Sequence, residues 1–326
     1  MTAPNLNNPD VARVLASPGD VENVIGNSFG SAYNAAQGAT GGSGIASHLE
    51  AQMLTMAFES SSSLANDGMG PRGSIPRAAI ANNSTDTYAS NNAYNYQGSQ
   101  RAARTAANGL AQLNKANYTL GSAQRDLRAR AFAFFSMAWG NATVALAYDS
   151  MSVVSEADTL LKAPKPFVSG QAAMPIILTQ MDSAIAAATK AIALGTAGSD
   201  AGGGTGFTLP GTWINGNSGS ASSGQASIDA ARFISIVRGY KARFRAEVAR
   251  TPAERAAVDW TQVIADANAG PSTDLLVSMQ PVAPWRVGDE QHYLFDTWTQ
   301  QSPMIIGMAD SVRAGCTAAN AGDPNN

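Results

Sequence analysis

Residues 123–149 read AQRDLRARAFAFFSMAWGNATVALAYD. No proline interrupts the run, and Arg125, Arg128 and Arg130 stand near its start. Ala131, Phe134, Phe135 and Ala138 are expected at the core of its apolar side. Small residues alternate with bulky ones, a pattern that lets one helix lie close against another. The spacing from Ala131 to Phe135 also fits the small-x3-Phe element of helix-pair repeats. The stretch therefore predicts a long central helix, and the rest of the chain is read outward from it.

Upstream, Ser17-Pro18-Gly19-Asp20 combines a serine N-cap, proline at the first helical position and an acid three residues after the cap. Val21, Ile25, Phe29 and Ala32 follow at helical spacing, so a helix is expected over Pro18–Gln37. A glycine-rich break at 39–44 precedes a second amphipathic pattern, Ile45, Leu49, Met53 and Met56, which ends in the serine run 60–63. Residues 64–97 read as an irregular polar segment holding Tyr88, Tyr94 and Tyr96. Helical spacing resumes at Ala103, Ala106, Leu110 and Leu113.

Downstream, Ala163-Pro164-Lys165-Pro166 predicts an extended connection, because proline fixes its own φ and restricts the residue before it. Ile177, Met181, Ile185, Ala188 and Ile192 define another helix. Residues 195–227 hold ten of the 31 glycines with many serines and asparagines, and read as a Gly/Ser-rich insertion loop that carries Trp213 and Ile214 as isolated apolar residues. Phe233, Val237, Tyr240, Phe244 and Val248 mark a further helix with a basic flank of Arg238, Lys241, Arg243 and Arg245. Thr251-Pro252-Ala253-Glu254 is a capping box, Asp259 with Gln262 a further cap, and 263–268 a short helix. The remainder to Gln301 is irregular and aromatic, and Ser302-Pro303 opens a last short helix through Met308. No alternating strand pattern is convincing, so the expected fold is all-α, an array of antiparallel helix pairs with long irregular loop insertions.

Composition narrows the function. Charged residues make up 14% and the net charge is -3, which gives no electrostatic footprint for nucleic acid. The single cysteine, Cys316, excludes an internal disulfide and a Cys-based zinc cage. No run approaches the roughly 18 apolar residues of a membrane span, and the first residues lack the basic and apolar regions of a secretion signal, so the chain as written reads as soluble.

Signatures of catalysis are sparse. The histidines are His48 and His292, and there is no GxSxG, HExxH or CxxC. The GGGTG of 202–206 lacks the following Lys-Ser or Lys-Thr of a phosphate-cradling loop. Asp289, Glu290 and Asp296 lie among Trp285, His292, Tyr293 and Trp298, which admits a glycan-cleaving enzyme as a minor alternative. As metal ligands, the same acids lack the spacing of a calcium loop. No cofactor and no metal are expected.

A binding role fits better. Sugar rings present apolar C–H faces and hydroxyl rims, which aromatic platforms beside Asn, Asp and Arg complement. Tyr94, Tyr96, Trp213, Asn215, Trp285, Tyr293 and Trp298 are the candidate ligand-binding residues on that composition. The alternative is that these aromatics pin long loops onto the helices.

Four blocks in succession resemble the SusD/RagB family of outer-membrane nutrient-binding lipoproteins. They are LNNPDVARVLASPGDVENVIGNSF at 6–29, AQRDLRARAFAFFSMAWG at 123–140, PIILTQMDSAIAAATKAIAL at 175–194, and ISIVRGYKARFRAEVARTPAERAAVDWTQVIADANAG at 234–270. The resemblance implies one SusD-like domain over 1–326, a TPR-like helix-pair superhelix whose irregular insertions face the ligand. It implies a non-enzymatic protein of the cell outer membrane, exposed at the surface, that captures an oligosaccharide or other nutrient and delivers it to a SusC-like TonB-dependent transporter. Family members carry a lipidated cysteine after a signal and further C-terminal sequence, neither of which is in these residues, so an incomplete chain is expected, with attachment only through a lipid anchor outside this sequence. The competing expectation is a soluble TPR-like scaffold that binds a protein or peptide.

Overall fold

The structure is a computed structural model that describes residues 15, 17–37, 49–62, 69–76, 80, 83–158, 165–195, 206–215, 227–277 and 299–301. These residues are mostly helical. Their contacts divide the chain into two compact units, 1–35 with 96–286, and 36–95 with 287–326.

In the first unit, α1 (Pro18–Gln37) has the bounds its capping sequence predicts. Ser17 Oγ accepts from the Asp20 N–H at 3.2 Å and donates to the Asp20 carboxylate at 2.6 Å. α4 (Ala89–Leu113) packs antiparallel on α1, with Gly109 against Ile25 and Gly98 against Ala35. A Cβ at Gly109 would come within 2.4 Å of Ile25, so only hydrogen permits that approach.

The central helix α5 (Ala123–Ala147) is capped by Ser122, whose side chain accepts from the Arg125 N–H. It is buried on almost every side from Ala131 to Ala145, so its core residues do not form one stripe. This corrects the expected core set: Ala131, Phe135 and Ala138 are buried, but Phe132 takes the interior position and Phe134 is half-exposed. Phe29 of α1 meets Phe132, Phe135 and Trp139 at ring-centroid distances of 6.2, 5.3 and 5.6 Å.

A short antiparallel pair, β2 (Ser150–Met151) with β3 (Val168–Ser169), follows α5 and leads into α6 (Gly170–Leu194). α6 lies antiparallel to α5, with Gly170 against the Ala145 carbonyl at one end and Gln124 donating to the Ala191 and Gly195 carbonyls at the other. Between them, buried Asn141 clamps the chain after β2: its amide nitrogen donates to the Val154 carbonyl and Gln180, and its oxygen accepts from the Val154 N–H. α7 (Ala230–Glu247) packs on α6, and α9 (Trp260–Asn268) packs on α7. Between these, α8 (Pro252–Ala256) starts with the predicted capping box of Thr251 and Glu254. Asp259 caps α9 through the Gln262 N–H.

In the second unit, α2 (Leu49–Met56) leads to β1 (Ser60–Ser62), which pairs antiparallel with β4 (Thr299–Gln301) in the register Ser60↔Gln301. α3 (Met69–Gly73) supplies Arg72, which is buried and donates to the Asn92 side chain. The expected irregular segment 64–97 is corrected at its end, because α4 begins at Ala89 and carries Tyr94 and Tyr96. Its first turns bury Asn92, Asn95 and Ser99 instead of apolar residues, so hydropathy loses its helical period there. Hydrogen bonds replace that apolar contact; Asn95, for example, accepts from the Leu49 N–H at 3.1 Å.

Candidate functional site

The candidate sugar-binding residues that are described take their positions from the helices around them. Trp213 ends a 3-10 turn (Gly211–Trp213) and is only 5% exposed. Its ring lies 4.8 Å from Phe132 and under the Arg128 guanidinium, 5.5 Å from the ring centroid. Asn215 is also buried. Both lie in packed interior, so the insertion is pinned here, and Trp213 and Ile214 are not isolated in a polar background.

Tyr94 is half-buried on α4. Tyr96 is half-buried too: its hydroxyl accepts from the Ser152 N–H at 3.4 Å, and its ring meets Tyr148 edge-on at 5.2 Å. Burial pushes the Tyr96 phenol up, outweighing the opposing Ser152 hydrogen bond. Phe167, 63% exposed, stacks over it at 6.4 Å. Trp285, Tyr293 and Trp298 lie outside the described residues, as do His48, His292, Asp289, Glu290, Asp296, Cys316 and the helix expected after Ser302.

The basic flank of α7 is paired internally. Asp266, 1% exposed, receives Arg238 at 2.6 Å and Arg245 at 3.3 Å. Lys241 pairs with Asp182. At the start of α5, Arg125 and Arg128 both reach Glu22. Burial pulls the Glu22 carboxyl up, but the two arginine hydrogen bonds outweigh it and hold it below the ordinary carboxylate range.

A cleft of about 610 Å³ lies elsewhere among the described residues, within the first unit. Tyr33 of α1 and Tyr240 and Arg243 of α7 supply its polar groups, while Ile236, Pro271 and Leu275 supply apolar wall. An aromatic layer backs it. Tyr33 stacks on buried Trp139 at 5.6 Å, and Tyr240 meets Trp139, Phe135 and Phe244 at 6.4, 5.6 and 5.6 Å. The platform is held from below by the core of α5. Burial pushes the Tyr240 phenol up against the opposing charge of Arg243, so it stays protonated and able to donate. Volumes of roughly 300–1,000 Å³ with apolar walls and a few convergent polar groups suit small ligands or one end of an extended one.

Composition alone did not point to Tyr33, Tyr240 and Arg243. Tyr240 stands in the apolar periodicity of α7 and Arg243 in its charged flank, so each has an ordinary helical explanation. The available signal was their spacing: Tyr240 and Arg243 are three residues apart and share one helix face.

The described residues form a mostly helical scaffold with an open, aromatic-backed cleft. Among the described residues, no group of three or more His, Cys, Asp or Glu could hold a metal ion, and no helix is long and apolar enough to cross a membrane. No family model, curated protein or solved structure matches the chain significantly.

Proposed function

We propose that this chain is a non-enzymatic binding component that holds an oligosaccharide or other nutrient in the Tyr33–Tyr240–Arg243 cleft. In this reading it serves at the cell surface of the outer membrane and passes its ligand to a SusC-like TonB-dependent transporter. The cleft carries the reading: two phenol rings and a guanidinium beside apolar wall bind and orient a hydroxylated ligand with an apolar face. Support for the SusD/RagB-like assignment, with its TPR-like superhelix, comes from the four sequence blocks and from the antiparallel packing of α5 on α6. The test is calorimetric titration with a panel of neutral and acidic oligosaccharides, with chromatography of each mixture after incubation. Saturable binding with every oligosaccharide recovered intact is the expected result. Absence of binding across the panel, or release of shorter sugars, contradicts it.

A second reading, a helical scaffold for a protein partner, is favoured by Trp260 and Ile264, which are 47% and 58% exposed one turn apart on α9. It predicts that Trp260→Ser abolishes capture of that partner and leaves oligosaccharide binding unchanged.

A further inference from the structure

The geometry points to a carboxylate-bearing ligand for this cleft, an oligosaccharide of uronic acids, with the outer amino groups of Arg243 as its anion handle. The inference rests on the binding reading above and narrows it to a substrate class.

Among the described residues that line the cleft, Arg243 is the one charged side chain. Its Nε donates to both carboxylate oxygens of Glu247, at 3.0 and 2.9 Å. That pairing holds one edge of the guanidinium. Nη1 and Nη2 make no hydrogen bond to protein among the described residues. Other arginines of α7 behave differently: Arg232 donates a terminal amino group to the Asp274 carbonyl, and Arg238 and Arg245 donate theirs to Asp266. A guanidinium offers two edges, and a second carboxylate on the free edge makes two parallel charge-assisted hydrogen bonds.

The rest of the lining fits the same ligand. A uronic acid has a C–H face for the Tyr33 and Tyr240 rings, hydroxyls for the protonated Tyr240 phenol, and a carboxylate projecting from the ring edge. Glu247 repels such an anion, but its charge is already engaged by Nε. It orients the fork while leaving the terminal amino groups free.

The experiment is a titration of the full chain with tetragalacturonate and with its methyl ester, which keeps the rings and removes the charges. Wild type is expected to bind the acid about tenfold more tightly than the ester, a preference that shrinks with added salt. Arg243→Gln is expected to abolish the preference by weakening acid binding more than ester binding, while Arg243→Lys, which keeps the charge without the fork, falls between. Equal affinity for acid and ester in wild type overturns the inference and leaves the binding reading standing. No binding of either, or of any neutral oligosaccharide, overturns both. If Arg243→Gln melts early, the acid and ester comparison in wild type decides alone.

Discussion

Gly26 of α1 lies directly against the Trp213 indole: a Cβ built on Gly26 would come within 2.2 Å of Nε1 and 2.5 Å of Cδ1. The ring is clasped between this glycine, Phe132 and the Arg128 guanidinium, which ties the insertion after α6 to the first helix and to the central one. Gly26→Ala must therefore displace a fully packed ring. Overpacking of this kind typically costs about 1–3 kcal/mol, and urea denaturation is expected to show a loss in that range. A variant as stable as wild type would show that the indole is free to move away.

Glu22 adds a pH dependence at the same end of α5. Its folded carboxyl is depressed, so the unfolded chain takes up the proton first as pH falls. The stabilisation is fully present above the unfolded value near 4.5 and is lost as pH drops through the lower folded value. Asp158 is depressed as well: burial raises it, but hydrogen bonds from Lys165 and Ser155 outweigh that, so it contributes with the same sign. Replacing Glu22 with Gln is expected to lower stability by about 1–3 kcal/mol at neutral pH and to flatten the acid limb of the profile. An unchanged acid limb would mean that Glu22 is not linked to folding.

Asp266 draws two helices together, since α9 presents it to Arg238 and Arg245 of α7. Breaking a buried ion pair from one side costs about 3–5 kcal/mol, because charge is left without a counterpart, and these half-exposed arginines place Asp266→Asn toward the lower figure. Chemical denaturation measures it. Wild-type stability in the variant would show that the arginines find water as readily as carboxylate.

Arg250 closes the far end of α5. Its guanidinium donates to the carbonyls of Ala145, Leu146 and Tyr148 and pairs with Asp149 at 2.8 Å, satisfying acceptors that a helix terminus leaves open. Arg250→Ala is expected to lower the unfolding free energy by about 1–3 kcal/mol. Amide exchange should then speed up at Ala147 and Tyr148 before the middle of α5 is affected. Uniform protection along α5 would count against this capping role.

How much of this was legible in the sequence depended on whether a residue's neighbours were local. Ser17, Thr251 and Asp259 announce helix starts through contacts within three residues, so those boundaries could be read directly. The sequence puts Phe134 in the core in place of Phe132, because a helix surrounded by α1, α4 and α6 has no single apolar stripe to rank them by. The start of α4 was hidden because Asn92, Asn95 and Ser99 are buried through hydrogen bonds that hydropathy does not register. Trp213 drew attention as an aromatic in a glycine-rich background, but only the long-range contacts with Gly26 and Phe132 reveal it as an anchor. The cleft was illegible for the same reason: Tyr33 and Tyr240 are brought together by packing across 207 positions of chain, and each alone is an ordinary helical tyrosine.

In the function proposed above, ligand sits in the cleft lined by Tyr33 and Tyr240. Leu276, at the wall of that cleft and 40% exposed, is the position for a bulkier replacement. The most direct measurement is calorimetric titration of Leu276→Trp with the oligosaccharide that wild type binds most tightly, beside thermal melts of both proteins. A melting temperature close to wild type with binding weakened at least about tenfold is the predicted result, the loss of roughly 1.4 kcal/mol that a blocked subsite gives. A folded variant that binds with wild-type affinity would place the ligand elsewhere and contradict the account.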